Sequence, residues 1–130
     1  SEINQLTHKI IGCAMQVHNV LGNGFQEVIY QRALALEFSH NGLQYEREKE
    51  MNIFYREEHI GTRRVDFLIE GEVIVELKAL EQLELVHKAQ AINYLEAYEL
   101  AHGLLINFGN TSLQFKRVFN KKLVDPSKPL

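Results

Sequence analysis

The chain has a single cysteine, only two prolines, no excess of basic charge and no long apolar run. One cysteine, Cys13, cannot form an internal disulfide, and it fits a reducing, cytoplasmic setting. No stretch is apolar for long enough to span a membrane, and none reads as a signal peptide. Both prolines fall beyond Asn120, among three lysines, and residues 121–130 read as a flexible tail. The net charge of −3 is not the footprint of a strongly basic nucleic-acid binder. Any such contact must come from a local cluster, for which Arg63, Arg64, Lys78 and Lys88 are the candidates. There is no repeat, linker or low-complexity segment. With 130 residues, 45% of them hydrophobic and 24% charged, the chain suffices for one domain with its own core, expected over residues 1–120.

Residues 63–78 organise the rest. They read as two apolar strands joined by a turn at Gly71, with Val65, Phe67, Leu68 and Ile69 before it and Val73-Ile74-Val75 after it. Into this buried-looking hairpin the sequence sets Asp66, Glu76 and Lys78. Ionised groups in a sheet core are costly unless paired or bound to a metal. Glu76 and Lys78 alternate on one face of the second strand. With a three-residue loop centred on Gly71, Asp66 stands opposite Glu76, and opposed side chains lie roughly 5 Å apart, where like charges repel. A divalent cation between them would remove that penalty. A two-residue turn would instead put the two acids on opposite faces. The competing reading places the acids at strand ends in water, with Lys78 neutralising one of them.

Taken in order, residues 3–21 form an amphipathic helix with Ile3, Leu6, Ile10, Cys13, Ala14, Val17 and Leu21 on its apolar stripe. Cys13 reads as core, and His18 as a packed or solvated side chain at the stripe's edge. Gly22-Asn23-Gly24 ends the helix. A second helix over 25–41 carries two adjacent stripes, Phe25/Ile29/Ala33/Leu36 and Tyr30/Leu34/Phe38. Glu27 shares the face of the latter. A carboxylate in a first helical turn is favoured by the helix dipole; it can equally be a third acid aimed at the hairpin. A strand over 44–56, a turn at Glu57-Glu58-His59, and strands over 60–69 and 73–78 suggest an antiparallel meander. A helix over 82–100 carries the stripes Leu85/Ala89/Ile92/Leu95 and Val86/Gln90/Tyr94/Ala97. Gln90 and Tyr94 read as boundary residues, the tyrosine packing its ring and wetting its hydroxyl. An interior strand over 104–108 and an alternating strand over 113–119 follow. Tyr45, Tyr55 and Tyr98 read as single exposed aromatics. Helix, helix, three strands, helix, two strands argues a mixed α/β (α+β) fold, a central sheet flanked by helices.

Asp, then Glu-x-Lys on the next strand, behind a helix bearing Glu, resembles the PD-(D/E)XK nuclease superfamily. Its restriction-endonuclease-like core matches the order of residues 25–108. Gly24-Phe25-Gln26-Glu27-Val28-Ile29-Tyr30 resembles the GxxExxY pattern of one bacterial and archaeal family. Arg64-Val65-Asp66, Val75-Glu76-Leu77-Lys78, Gln90 through Tyr94 and Gly103 through Phe108 are similar to it too, so the likeness spans nearly the whole chain.

The resemblance implies Asp66 and Glu76 as metal ligands, with the Leu77 carbonyl as a third. It implies Glu27 as the helix-borne acid completing the shell and His18 as a further ligand. It casts Lys78 as the group that orients or activates water and stabilises charge at the scissile phosphate. Gln90 and Tyr94 match the QxxxY element of RecB-like nucleases, which supports site and substrate; Arg64 and Lys88 are expected to contact substrate. The implied cofactor is Mg²⁺, with Mn²⁺ as a substitute, and the implied reaction is phosphodiester hydrolysis in nucleic acid, DNA foremost. No membrane partner is expected; a second copy or an accessory protein would compensate for the acidic charge and small size. The alternatives are a catalytically silent module of the same fold that binds nucleic acid or a protein partner, and a partner-binding scaffold with a fortuitous charge cluster.

Overall fold

A computed structural model describes residues 2–125 and 127. The elements are α1 (Glu2–Leu21), α2 (Glu27–His40), β1 (Tyr45–Tyr55), β2 (Glu58–Ile69), β3 (Val73–Lys78), α3 (Leu85–Tyr98), β4 (His102–Asn107) and β5 (Gln114–Phe119). Their order is the expected one. The strands form one sheet in the order β1-β2-β3-β4-β5. Neighbours are antiparallel except β3 and β4, which run parallel and therefore need the crossover that α3 provides.

The fold is thus mixed α/β, with a central mixed sheet between helices. On one face, Ile10, Ala14 and Val17 of α1 and Tyr30, Leu34 and Phe38 of α2 pack on Val73, Val75 and Leu77. On the other, Ala91 and Leu95 of α3 cover Val65, Leu68 and Ile74. Because β3 is covered on both faces, it reads as a continuous apolar run rather than an alternating one. Cys13 lies in the first core, where burial, then Glu37, pushes its thiol up and Lys9 draws it back; a thiol held protonated is a poor nucleophile.

Three expectations need correction. Of the two α2 stripes, only Tyr30/Leu34/Phe38 is buried; Phe25 and Leu36 are exposed. On α3 the buried pair is Ala91 and Leu95, while Leu85 and Val86 face solvent. Both helices carry apolar residues around much of their circumference, so periodicity alone could not choose the face that meets the sheet. The β1–β2 turn is made by Arg56 and Glu57, both left-handed at φ 49° and 66°, with Tyr55 paired to Glu58. Such turns usually advertise themselves with Asn or Gly, and this one does not.

The segments leaving β3 and β4 are stitched together. Asn107 donates from Nδ2 to the Leu80 carbonyl at 2.9 Å, and its Oδ1 accepts from Leu80 N–H at 2.8 Å. Asn110 donates to the Glu81 carbonyl at 2.7 Å. A Cβ on Gly109 would run into the backbone of Ala79 and Leu80. Asn120 is buried, its N–H bonded to the Ala101 carbonyl. Of the expected tail, residues 126 and 128–130 lie outside the described residues.

Gly109→Ala is therefore expected to destabilise the protein by about 1–3 kcal/mol, the usual cost of forcing atoms into a packed site. Gly24→Ala, with nothing near its virtual Cβ, is expected to stay within roughly 0.5 kcal/mol of wild type. Urea denaturation of the two variants beside wild type checks both.

Candidate active site

The β2–β3 loop has three residues, Glu70 to Glu72, because Ile69 pairs with Val73. Its left-handed positions are Glu70 and Gly71, at φ 52° and 68°. The ladder continues through Leu68↔Ile74 and Phe67↔Val75 and then stops. The next pair in register would be Asp66 and Glu76. Here side chains replace the backbone ladder: Asp66 N–H donates to Glu76 Oε1 at 3.3 Å, and Leu77 N–H donates to Asp66 Oδ2 at 2.8 Å. Two peptide N–H groups orphaned by the splaying strands are thereby satisfied.

Asp66 lies where β2 changes sides. Phe67 and Ile69 pack under α1 and α2, but Val65 packs under α3 with Leu68. The reversal coincides with Glu48 on β1, which has φ 52° and falls between the pairs Arg47↔Phe67 and Lys49↔Val65. Asp66 meets α2, where Gln31 Nε2 donates to its Oδ1 at 2.9 Å. Gln31 is buried, and its Oε1 accepts from Arg47 Nε at 2.8 Å. The same reversal puts Arg63 toward α3, its guanidinium 5.0 Å from the Tyr94 ring centroid. Tyr94 and Tyr98 stack at 6.4 Å.

The electrostatics follow from this packing. Glu76 is only 6% exposed. Burial first, then the charge of Asp66, raises its pKa from the ordinary 4.5 to about 8, against the opposing pull of the Asp66 N–H, Arg63 and Lys78. Glu27, the first residue of α2, is also raised, by desolvation and then by Asp66, while Lys78 lowers it. The four residues thus share one electrostatic neighbourhood. Tyr30 fixes where α2 begins: its hydroxyl donates to the Gly22 carbonyl and accepts from Phe25 N–H, and its ring stacks on Phe108 at 4.6 Å. Lys78 closes β3; its carbonyl accepts from Phe108 N–H at 2.9 Å, and its ammonium makes no ion pair among the described residues.

Other expected site residues make contacts of their own or face solvent. His18 Nε2 is 3.0 Å from the Asn110 carbonyl, with its ring against Phe108. Arg64 reaches Glu50 at 4.0 Å. Gln90 is exposed. Lys88 lines a separate groove with Leu85, Leu105 and Lys116. Tyr98, expected to be exposed, is half-buried. Among the described residues no three His, Cys, Asp or Glu side chains converge as a metal set. Asp66 and Glu76, joined through the Asp66 N–H, still suit Mg²⁺, which takes one or two carboxylates and keeps several waters.

The sequence reading missed Gln31, Arg47 and the position of Arg63. Gln31 carried a usable signal: it follows Tyr30 on the buried side of α2, four residues from Glu27, and a buried amide must have partners.

The sequence profile of the PD-(D/E)XK nuclease superfamily matches residues 4–118. The chain belongs to that superfamily. In fold it is similar to the crystal structure of SSO0001, with a TM-score of 0.59 and 21% identity over 72% of this chain. The match spans 50% of that longer protein. No curated protein matches the sequence.

The raised Glu76 gives a pH dependence of stability. Between pH 4.5 and about 8 the folded protein keeps a proton that the unfolded chain has released. This contribution is complete below the lower value and lost as pH rises through the upper one. In metal-free wild type, stability should fall across that window with a slope approaching roughly 1.4 kcal/mol per pH unit. Glu76→Gln should lack that component and gain relative stability toward pH 8. Denaturant titrations from pH 5 to 9 read the slope; equal slopes in both proteins would refute it.

Proposed function

We propose that the chain is a Mg²⁺-dependent nuclease that hydrolyses phosphodiester bonds in nucleic acid, DNA foremost. The observation that carries this reading is the fork between β2 and β3, where Asp66 and Glu76 meet by hydrogen bond and Glu27 and Lys78 act on the same field. Asp66 and Glu76 would hold the cation, with the Leu77 carbonyl and Glu27 completing its shell directly or through water. His18 would join only by giving up its contact with Asn110. When bound, Mg²⁺ supplies charge at the phosphate and acidifies a bound water. Lys78, as an ammonium, would stabilise the negative charge that develops on the phosphate oxygens as water adds and the ester P–O bond breaks. Tyr94 and Gln90 would support the substrate, with Arg64 and Lys88 meeting phosphates farther along. Manganese would substitute for magnesium.

The GxxExxY likeness gains support from the work Tyr30 does in setting the start of α2, and so the place of Glu27. A cytoplasmic setting is proposed on the single, buried Cys13; among the described residues no helix is long and apolar enough to cross a membrane. A second copy or an accessory protein would add the substrate contacts that a chain of net charge −3 lacks. The alternative is a silent module of the same fold that binds nucleic acid or protein.

Calorimetric titration with Mg²⁺ and Mn²⁺ separates the two. Binding by wild type that vanishes in Asp66→Ala and in Glu76→Ala is expected, together with metal-dependent cleavage of DNA that Lys78→Ala slows by about 100-fold or more. No binding at millimolar metal, with oligonucleotide present, leaves the binding module.

A further inference from the structure

We infer that Gln31 is a spacer that holds the Arg47 guanidinium away from Asp66 and so keeps the Asp66 carboxylate available to a cation. The functional half of this inference rests on the reading of Asp66 as a metal ligand; the structural half does not.

The geometry is a chain of three groups. Arg47 Nε donates to Gln31 Oε1 at 2.8 Å, and Gln31 Nε2 donates to Asp66 Oδ1 at 2.9 Å. The orientation of the amide is forced, since a guanidinium only donates and an ionised carboxylate only accepts. Arg47 starts close to Asp66, because its ladder partner is Phe67, the residue next to Asp66. An arginine this near a carboxylate ordinarily grips it directly, with two parallel hydrogen bonds. Such a grip would occupy both oxygens and neutralise the charge that attracts a cation. Interposing a neutral amide preserves the charge. The aspartate is still held from both sides, by Gln31 at Oδ1 and by Leu77 N–H at Oδ2, but by donors without net charge. Each oxygen keeps a lone pair free.

Gln31 suits this role because it is buried, at 5% exposure, on the helix that Glu27 opens. Glutamate there would repel Asp66, and leucine would leave both neighbours unsatisfied. Gln31 and Arg47 are positioning residues; neither is required to touch substrate.

A merely structural glutamine and a spacer differ in what a second substitution does. Gln31→Ala should weaken Mg²⁺ binding about 10–100-fold, the usual cost of losing a support behind a metal ligand, because Arg47 moves onto Asp66. Gln31→Ala with Arg47→Ala should recover most of that loss, although it removes more contacts. Arg47→Ala alone should weaken binding less than Gln31→Ala. A double variant as weak as Gln31→Ala, or weaker, overturns the proposal. If Gln31→Ala does not fold, Gln31→Ser, which also leaves Arg47 room to reach Asp66, carries the same comparison. If wild type itself binds no metal, the nuclease reading fails, and a crystal structure of the metal-free Gln31 variant decides the spacer alone. Arg47 paired to Asp66 supports it, and Arg47 extended into solvent overturns it.

Discussion

The exchange of ladder hydrogen bonds for side-chain ones between Asp66 and Glu76 is the constraint on which the rest of the site depends. An antiparallel pair that simply continued would satisfy its own backbone and leave two carboxylates crowded face to face. By splaying after Phe67↔Val75, the strands put each acid to use as an acceptor: Glu76 for the Asp66 N–H, and Asp66 for the Leu77 N–H. The crowding is not abolished. It appears as the raised pKa of Glu76, whose burial and proximity to Asp66 favour the protonated form. The pair is tolerated because apolar layers on both faces of the sheet hold the hairpin in place.

Those layers also decide which side each residue serves. β2 changes face at Asp66, beside the left-handed Glu48. A non-glycine residue held there costs of order 1–3 kcal/mol, so the surrounding ladder must impose it. The outcome is that Asp66 meets Gln31 of α2 while Arg63 meets Tyr94 of α3. One irregularity thus gives the acid pair a different neighbour from each face of the sheet. Farther along β3, Asn107 and Gly109 fasten the segment after Lys78 to the segment after β4, so the lysine leaves the sheet from a fixed point.

The element order and the Asp66–Glu76 register were legible because strong local signals set them: an apolar hairpin around Gly71 and acids symmetrically placed about it. The register still hinged on loop length, which the left-handed Glu70 and Gly71 supply without a distinctive dipeptide. What stayed hidden was decided by tertiary contact. Apolar residues circle much of α2 and α3, so Leu36 and Leu85 looked as buried as Leu34 and Leu95. Simple alternation from Leu68 would send Arg64 toward α3; the reversal at Asp66 sends Arg63 instead, and no residue type marks it. Gln31 drew no assignment because its partners, Arg47 and Asp66, come from distant strands.

The two acids are therefore chemically unlike, although the sequence presents them as a matched pair. Asp66 has both oxygens held by neutral donors at 2.8–2.9 Å. Glu76 accepts a longer bond at 3.3 Å and sees little solvent, and burial first, then the charge of Asp66, pushes its carboxyl up to about 8. A divalent cation arriving at the fork would be attracted by Asp66 and would have to displace the proton from Glu76. On the proposed nuclease reading, cation binding would then release that proton. The fold thus sets one buried acid, Glu76, beside a half-buried one, Asp66.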